Sequence, residues 1–135
     1  MDKLNDKLRE YLKAPRFAVV ATINEDGTPQ QTVVWYELQE GDRIMMNTRV
    51  GRIKERNLRR DPRVSFCVVD EYQALTIKGR ATLDYDPETS QADIKALAIQ
   101  NHGPEEGEQM AAEVYGKQPR VSANIAIEKV IPYGF

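Results

Sequence analysis

One cysteine, Cys67, and one histidine, His102, stand in a chain of 135 residues. An internal disulfide is excluded, and so is a zinc or iron centre built from clustered Cys and His. No apolar run approaches the roughly 18 residues that a membrane helix needs. The first dozen residues are mostly charged, unlike the apolar core of a signal peptide, so a cytoplasmic location is expected. Only three serines are present, and no nucleophile and base are evidently paired along the chain. Internal repeats, low-complexity tracts and Pro/Gly/Ser linkers are also lacking, so residues 1–135 are predicted to form one domain. What remains is 41% hydrophobic and 30% charged, the composition of a domain that buries a core.

Leu4, Leu8, Tyr11 and Leu12 recur at helical spacing, which predicts an amphipathic helix over about 3–13 that Pro15 stops. Phe17–Ile23 is β-branched and almost wholly apolar, the pattern of a strand buried on both faces. Turns at 24–27 and 40–42 separate it from strands at Gln30–Leu38 and Arg43–Thr48, predicting a three-stranded antiparallel meander. A short helix over Gly51–Arg60 ends before Pro62. Two strands follow, Val64–Val69 and Leu75–Leu83. Residues 87–115 are helical in composition, with a break at His102-Gly-Pro104 and a helix end at Gly116, and Val121–Ile131 alternates as a last strand. About six antiparallel strands with peripheral helices predict a mainly β fold, a small barrel with helices packed outside.

The formal net charge of −2 conceals an asymmetry. Between Arg49 and Arg63 stand seven basic residues (Arg49, Arg52, Lys54, Arg56, Arg59, Arg60, Arg63) and two acidic ones, Glu55 and Asp61. That segment carries +5, while the other 120 residues hold 12 basic and 19 acidic groups, a balance of −7. The block starts where a strand ends at Asn47-Thr48 and a helix begins, so free amides and the helix dipole point where the cations gather. Thr48, the backbone, Arg52 and Lys54 are the candidate holders of a phosphate, Arg as a planar fork and Lys as a point charge. The same charge also fits a solvated helix face. Nucleic acid is disfavoured as the anion, because the aromatics lie in the apolar runs and the pI is about 5.5.

Phe17-Ala-Val-Val-Ala-Thr-Ile23, Gly27-Thr-Pro-Gln30, Val34-Trp-Tyr36, Arg52-Ile-Lys-Glu-Arg-Asn-Leu-Arg-Arg-Asp-Pro-Arg-Val-Ser65 and Ile77-Lys-Gly-Arg-Ala81 resemble, in that order, the pyridoxamine 5′-phosphate oxidase-like split-barrel proteins. The branch they resemble most uses the deazaflavin coenzyme F420. The resemblance runs from about Phe17 to Leu83, more than half of the chain, and implies a split β-barrel of the FMN-binding kind. It places a phosphate-binding Arg-x-Lys at Arg52 and Lys54, and a phosphate-holding strand end at Asn47 and Thr48. Gln31, Thr32, Val33 and Val34 would run along the tricyclic ring. It also implies a homodimer with the site at the interface, to which Tyr133-Gly-Phe135 could add aromatic walls.

FMN and the deazaflavin share ring, ribityl chain and phosphate, but the deazaflavin adds an oligoglutamate tail. Arg56, Arg59 and Arg60 are further cations for such a tail, which favours coenzyme F420 over FMN. The expected activity is hydride transfer from the reduced deazaflavin to an unsaturated or quinone-like acceptor. An FMN-dependent oxidase or reductase and a non-catalytic flavin or haem carrier are the alternatives. Such chemistry resides on the cofactor, so no catalytic acid or base is nominated. Cys67 is expected to be a buried packing residue, His102 an exposed loop residue, Trp35 core, and Met45 and Met46 core and barrel lining.

Overall fold

The computed structural model describes residues 3–135. Its elements are α1 (Asp6–Lys13), β1 (Ala18–Ile23), β2 (Pro29–Val34), β3 (Glu37–Gln39), β4 (Arg43–Arg49), α2 (Ile53–Arg60), β5 (Arg63–Asp70), β6 (Gln73–Asp84), α3 (Pro87–His102), α4 (Pro104–Glu113) and β7 (Arg120–Tyr133). A single 3₁₀ turn, Tyr115–Lys117, precedes β7 and contains Gly116. Capping explains the helix starts. Asn5 accepts the Leu8 amide at 2.9 Å to open α1, and Asp86 accepts the Thr89 amide at 3.1 Å to open α3. Gly103, at φ +90°, ends α3, and Pro104 starts α4 in a new direction.

All strand pairs are antiparallel, in the order β2-β1-β5-β6-β7-β4-β3. Laid flat, seven strands would separate the edges β2 and β3 by about 29 Å, at about 4.8 Å per spacing. Yet only Trp35 and Tyr36 lie between β2 and β3, a link that reaches about 11 Å at most. The sheet must therefore roll up until its two edges meet without pairing, which is a split barrel. This corrects the predicted meander. The strand expected over Gln30–Leu38 is two strands broken at Trp35-Tyr36, and β4 pairs with β3 and β7 but not with β2. The break makes seven strands in place of six.

The barrel interior holds the larger core cluster, including Val20, Tyr36, Ile44, Phe66, Leu75, Ile77 and Ile125, with α1 plugging it through Leu8, Tyr11 and Leu12. Tyr36 packs edge-on against Phe66 at 5.1 Å. A smaller cluster, Met45, Ile94 and Leu97, lies outside the barrel under α3. β4 is thus the strand covered on both faces, with Ile44 through Thr48 all buried. β1, expected to be so covered, buries Ala18, Val20 and Thr22 but leaves Val19 exposed on its outer face. Cys67 faces that same outer side and is half-buried, not buried. His102 is exposed as expected, but it ends α3 instead of lying in a loop, and its ring meets Trp35 at 5.2 Å. Trp35, expected as core, is only partly buried. No described helix is long and apolar enough to cross a membrane.

Candidate functional site

A cavity of about 350 Å³ opens where the split barrel, α2 and α3 meet. Thr32, Val33 and Val34 of β2 form one side, with Phe17 and Trp35 beside them. Ile94, Leu97 and Tyr115 supply the opposite apolar wall. Its polar end is built by Asn47, Thr48 and Arg49 at the end of β4, Arg52 and Lys54 at the start of α2, and Arg120 at the start of β7. Arg49 and Arg120 are cross-strand partners in the β4–β7 ladder. A second cavity of about 300 Å³, lined by Gln30, Thr32, Gly51, Arg52, Ile53 and Lys54, shares Thr32, Arg52 and Lys54 with the first. The space therefore extends past the helix start.

Local folding explains why the cations face the cavity. Gly51, at φ +96°, turns the chain from β4 into α2. The fully buried Glu55 reaches back to accept the Gly51 amide at 2.8 Å, which pins the turn in the manner of a capping box. Glu55 also accepts the Tyr85 hydroxyl at 2.6 Å and pairs with Arg59 at 2.7 Å. Burial pushes its carboxyl up, but the Tyr85 hydroxyl, the Gly51 amide and the arginines outweigh that and hold it below the ordinary carboxylate range. The α2 N-cap, Arg52, has no side-chain cap, so the first amides of the helix and its positive end stay available.

Among the described residues no carboxylate lies within ion-pair distance of Arg49, Arg52, Lys54 or Arg120. Burial lowers the Lys54 ammonium from its usual value, and Arg52 and Arg120 lower it further. Burial also brings Arg120 down to about 10, with Arg52 and Arg49 adding to the fall and Tyr115 opposing it. Such mutual repulsion is relieved when an anion enters. A flavin-type cofactor fits these features. The four cations suit its phosphate, the apolar walls suit its ring, and β2, as a sheet edge, offers unpaired backbone groups to the ring's polar rim.

Of the residues nominated from sequence, Thr32, Val33, Val34, Asn47, Thr48, Arg52 and Lys54 line this cavity. Gln31 lies on β2 but lines neither cavity. Arg56 is exposed one turn further along α2 and lines neither. Arg59 is engaged by Glu55, and Arg60 donates to the Ile23 carbonyl and to Asn57 Oδ1, so two of the three cations expected to serve a tail have partners within the chain. Phe135 packs edge-on against Tyr11 at 4.9 Å, away from the cavity of its own chain. Tyr115 and Arg120 escape a sequence reading because they lie more than 60 residues from the helix start they face. Only a strand pairing such as Arg49 with Arg120 would have revealed them.

A family model described as pyridoxamine 5′-phosphate oxidase matches residues 4–133. Among solved structures, a conserved hypothetical protein of Mycobacterium tuberculosis is similar over 96% of this chain and 84% of its own, with 27% identity and a TM-score of 0.81. A protein named F420 reductase is similar over 95% of this chain and 98% of its own, with 22% identity and a TM-score of 0.76. With a family match spanning nearly its whole length, the chain belongs to the pyridoxamine 5′-phosphate oxidase family.

Proposed function

We propose that this protein is an oxidoreductase that uses the reduced deazaflavin coenzyme F420, with an unsaturated or quinone-like small molecule as hydride acceptor. The observation that carries the reading is the cluster of four cations, unpaired with any described carboxylate, at the end of an apolar-walled cavity. One phosphate needs fewer cations than that. The continuation of the space past Arg52 and Lys54 gives room for a tail, and the likeness in fold to an F420 reductase agrees with it.

When bound, the reduced deazaflavin supplies a hydride from ring carbon C5 to the acceptor. In this reading Arg52, Lys54 and Thr48 would hold the phosphate, and the backbone of Thr32–Val34 would lie along the ring. Trp35, Ile94, Leu97 and Tyr115 exclude water from one face. The lining holds neither a carboxylate nor an imidazole, so the balancing proton comes from solvent or from a donor such as the Tyr115 hydroxyl. Phe17 is 66% exposed and Val33 59% exposed beside the cavity, so a second copy of the chain would complete the open wall.

A specific observation favours FMN as the second reading, since Arg59 and Arg60 are engaged internally and offer little to an oligoglutamate tail. Spectral titration with coenzyme F420, FMN and riboflavin separates the two. Tighter binding of coenzyme F420, followed by oxidation of its reduced form when a quinone is added, supports the first reading. Tighter binding of FMN overturns it, and binding without turnover of any acceptor points to a carrier.

A further inference from the structure

Asn47, nominated from sequence as a phosphate holder, has its side-chain amide committed inside the protein. Its Nδ2 donates to the Ser90 carbonyl at 2.9 Å and to Ser122 Oγ at 3.2 Å. Its Oδ1 accepts Arg120 Nε at 2.9 Å. Ser122 in turn donates to Asp93 Oδ2 on α3 at 2.6 Å. This chain of bonds ends on a cation. Arg120 also donates from Nη1 to Gln118 Oε1 at 2.9 Å, and its guanidinium carbon lies 5.0 Å from the centre of the Tyr115 ring.

A guanidinium has five N–H donors. Here two are used on neutral amide oxygens, and the residue lines a cavity whose other cations are Arg49, Arg52 and Lys54. A half-buried charge without a counter-ion is costly unless an anion arrives to pair with it. Lys54 and Arg52 reach the cavity from α2 and Arg120 from β7, so an anion among them would be gripped from two directions. If Arg120 served only to tie β7 to Asn47 of β4 and to Gln118, a neutral donor would do so without the repulsion.

Resting on the cofactor reading above, we infer that Arg120 is a direct phosphate-binding residue of this site, and that Asn47, backed by Ser122 and Asp93, is the positioning residue that aims it. The site then discriminates a phosphorylated ring system from its phosphate-free counterpart through β7 as well as through α2. Asn47 contributes through Arg120 alone.

Trp35 is the chain's one tryptophan and lines the cavity, so quenching of its fluorescence reports occupancy. Dissociation constants are measured for coenzyme F420, FMN and riboflavin with the natural protein and with Arg120→Gln, Arg120→Lys, Asn47→Ser and the Asn47→Ser/Arg120→Gln pair, each checked for folding by thermal melting. Arg120→Gln should weaken whichever phosphorylated cofactor binds by about tenfold or more, while riboflavin changes less than about twofold. Arg120→Lys, which keeps the charge but loses the fork, should fall between. Asn47→Ser should weaken the phosphorylated cofactor alone, and should add nothing once Arg120 is Gln. Equal losses for riboflavin and its phosphate, or unchanged binding of the phosphorylated cofactor, would overturn the assignment. Should the natural protein bind none of the three, the cofactor reading falls, and inorganic pyrophosphate becomes the probe. Quenching by pyrophosphate that is lost or weakened in Arg120→Gln, and less so in Arg120→Lys, sustains the anion seat, and quenching unchanged in Arg120→Gln removes it.

Discussion

Glu55 shows how one buried side chain can shape a site it does not line. Its carboxylate meets the Gly51 amide, the Tyr85 hydroxyl and the Arg59 guanidinium, and each contact fixes the turn that carries Arg52 and Lys54. Glu55→Gln is expected to cost about 1–3 kcal/mol, because charge-assisted bonds to a buried group are lost. Urea denaturation at pH 7 measures it. The sign of the pH dependence follows from the lowered carboxyl pKa. Below its ordinary value of 4.5 the unfolded chain binds the proton first, so the stability from ionised Glu55 is full above that value. It is lost as pH falls through the lower folded value. The gap between natural protein and variant should therefore shrink in acid; a constant gap would show that ionisation is not its source. Arg52 and Lys54 behave in the opposite way. They have no carboxylate partner among the described residues, so replacing both with Ala should leave the thermal midpoint nearly unchanged. Two charge-assisted bonds to a phosphate would be lost, and cofactor affinity should fall by about a hundredfold. Unchanged affinity in a spectral titration would remove these residues from the site.

At the scale of elements, the site depends on how closely α3 and α4 pack. A Cβ on Gly107 of α4 would lie 2.5 Å from Ile99 N and Cα of α3, so only glycine lets the two helices approach this closely. Gly107→Ala should destabilise by about 1–3 kcal/mol, since backbone on both sides must move. It should also loosen the wall, because Tyr115 lies two residues after the end of α4 and Ile94 and Leu97 belong to α3. Melting and Trp35 fluorescence report the two effects, and an unmoved fluorescence would separate the wall from the helix contact. Most elements were legible because each carries a local signal: Pro15 after α1, the Gly-Pro break between α3 and α4, the alternation in β7. The meander was misread because strand pairing is set by the closure of the whole sheet. Trp35 and Tyr36 read as ordinary strand residues until the barrel bends between them. The phosphate end of the site was legible through Arg52 and Lys54, which are two residues apart, whereas Arg120 becomes a neighbour only through the β4–β7 ladder.

The register of the whole sheet leaves one face uncovered. Val33 opposes Val19, Val19 opposes Cys67, Cys67 opposes Thr76, and Thr76 opposes Ile131, so one row of side chains crosses five strands on the outer surface. Val33, Val19 and Ile131 are 59%, 37% and 41% exposed. The row is continuous with the open side of the cavity, because Val33 belongs to both. An uncovered apolar row joined to an incomplete site is what a second copy of the chain would cover. A charge within it should then be costly in the dimer and harmless in the monomer. Val19→Lys is expected to keep its far-UV circular dichroism and to sediment as a monomer, and the natural protein is expected to sediment as a dimer. Its affinity for the phosphorylated cofactor should fall as well if the second copy supplies the pocket's other wall. Equal sedimentation of the two proteins would place any interface elsewhere, and dissociation with unchanged affinity would show that one chain holds the cofactor alone.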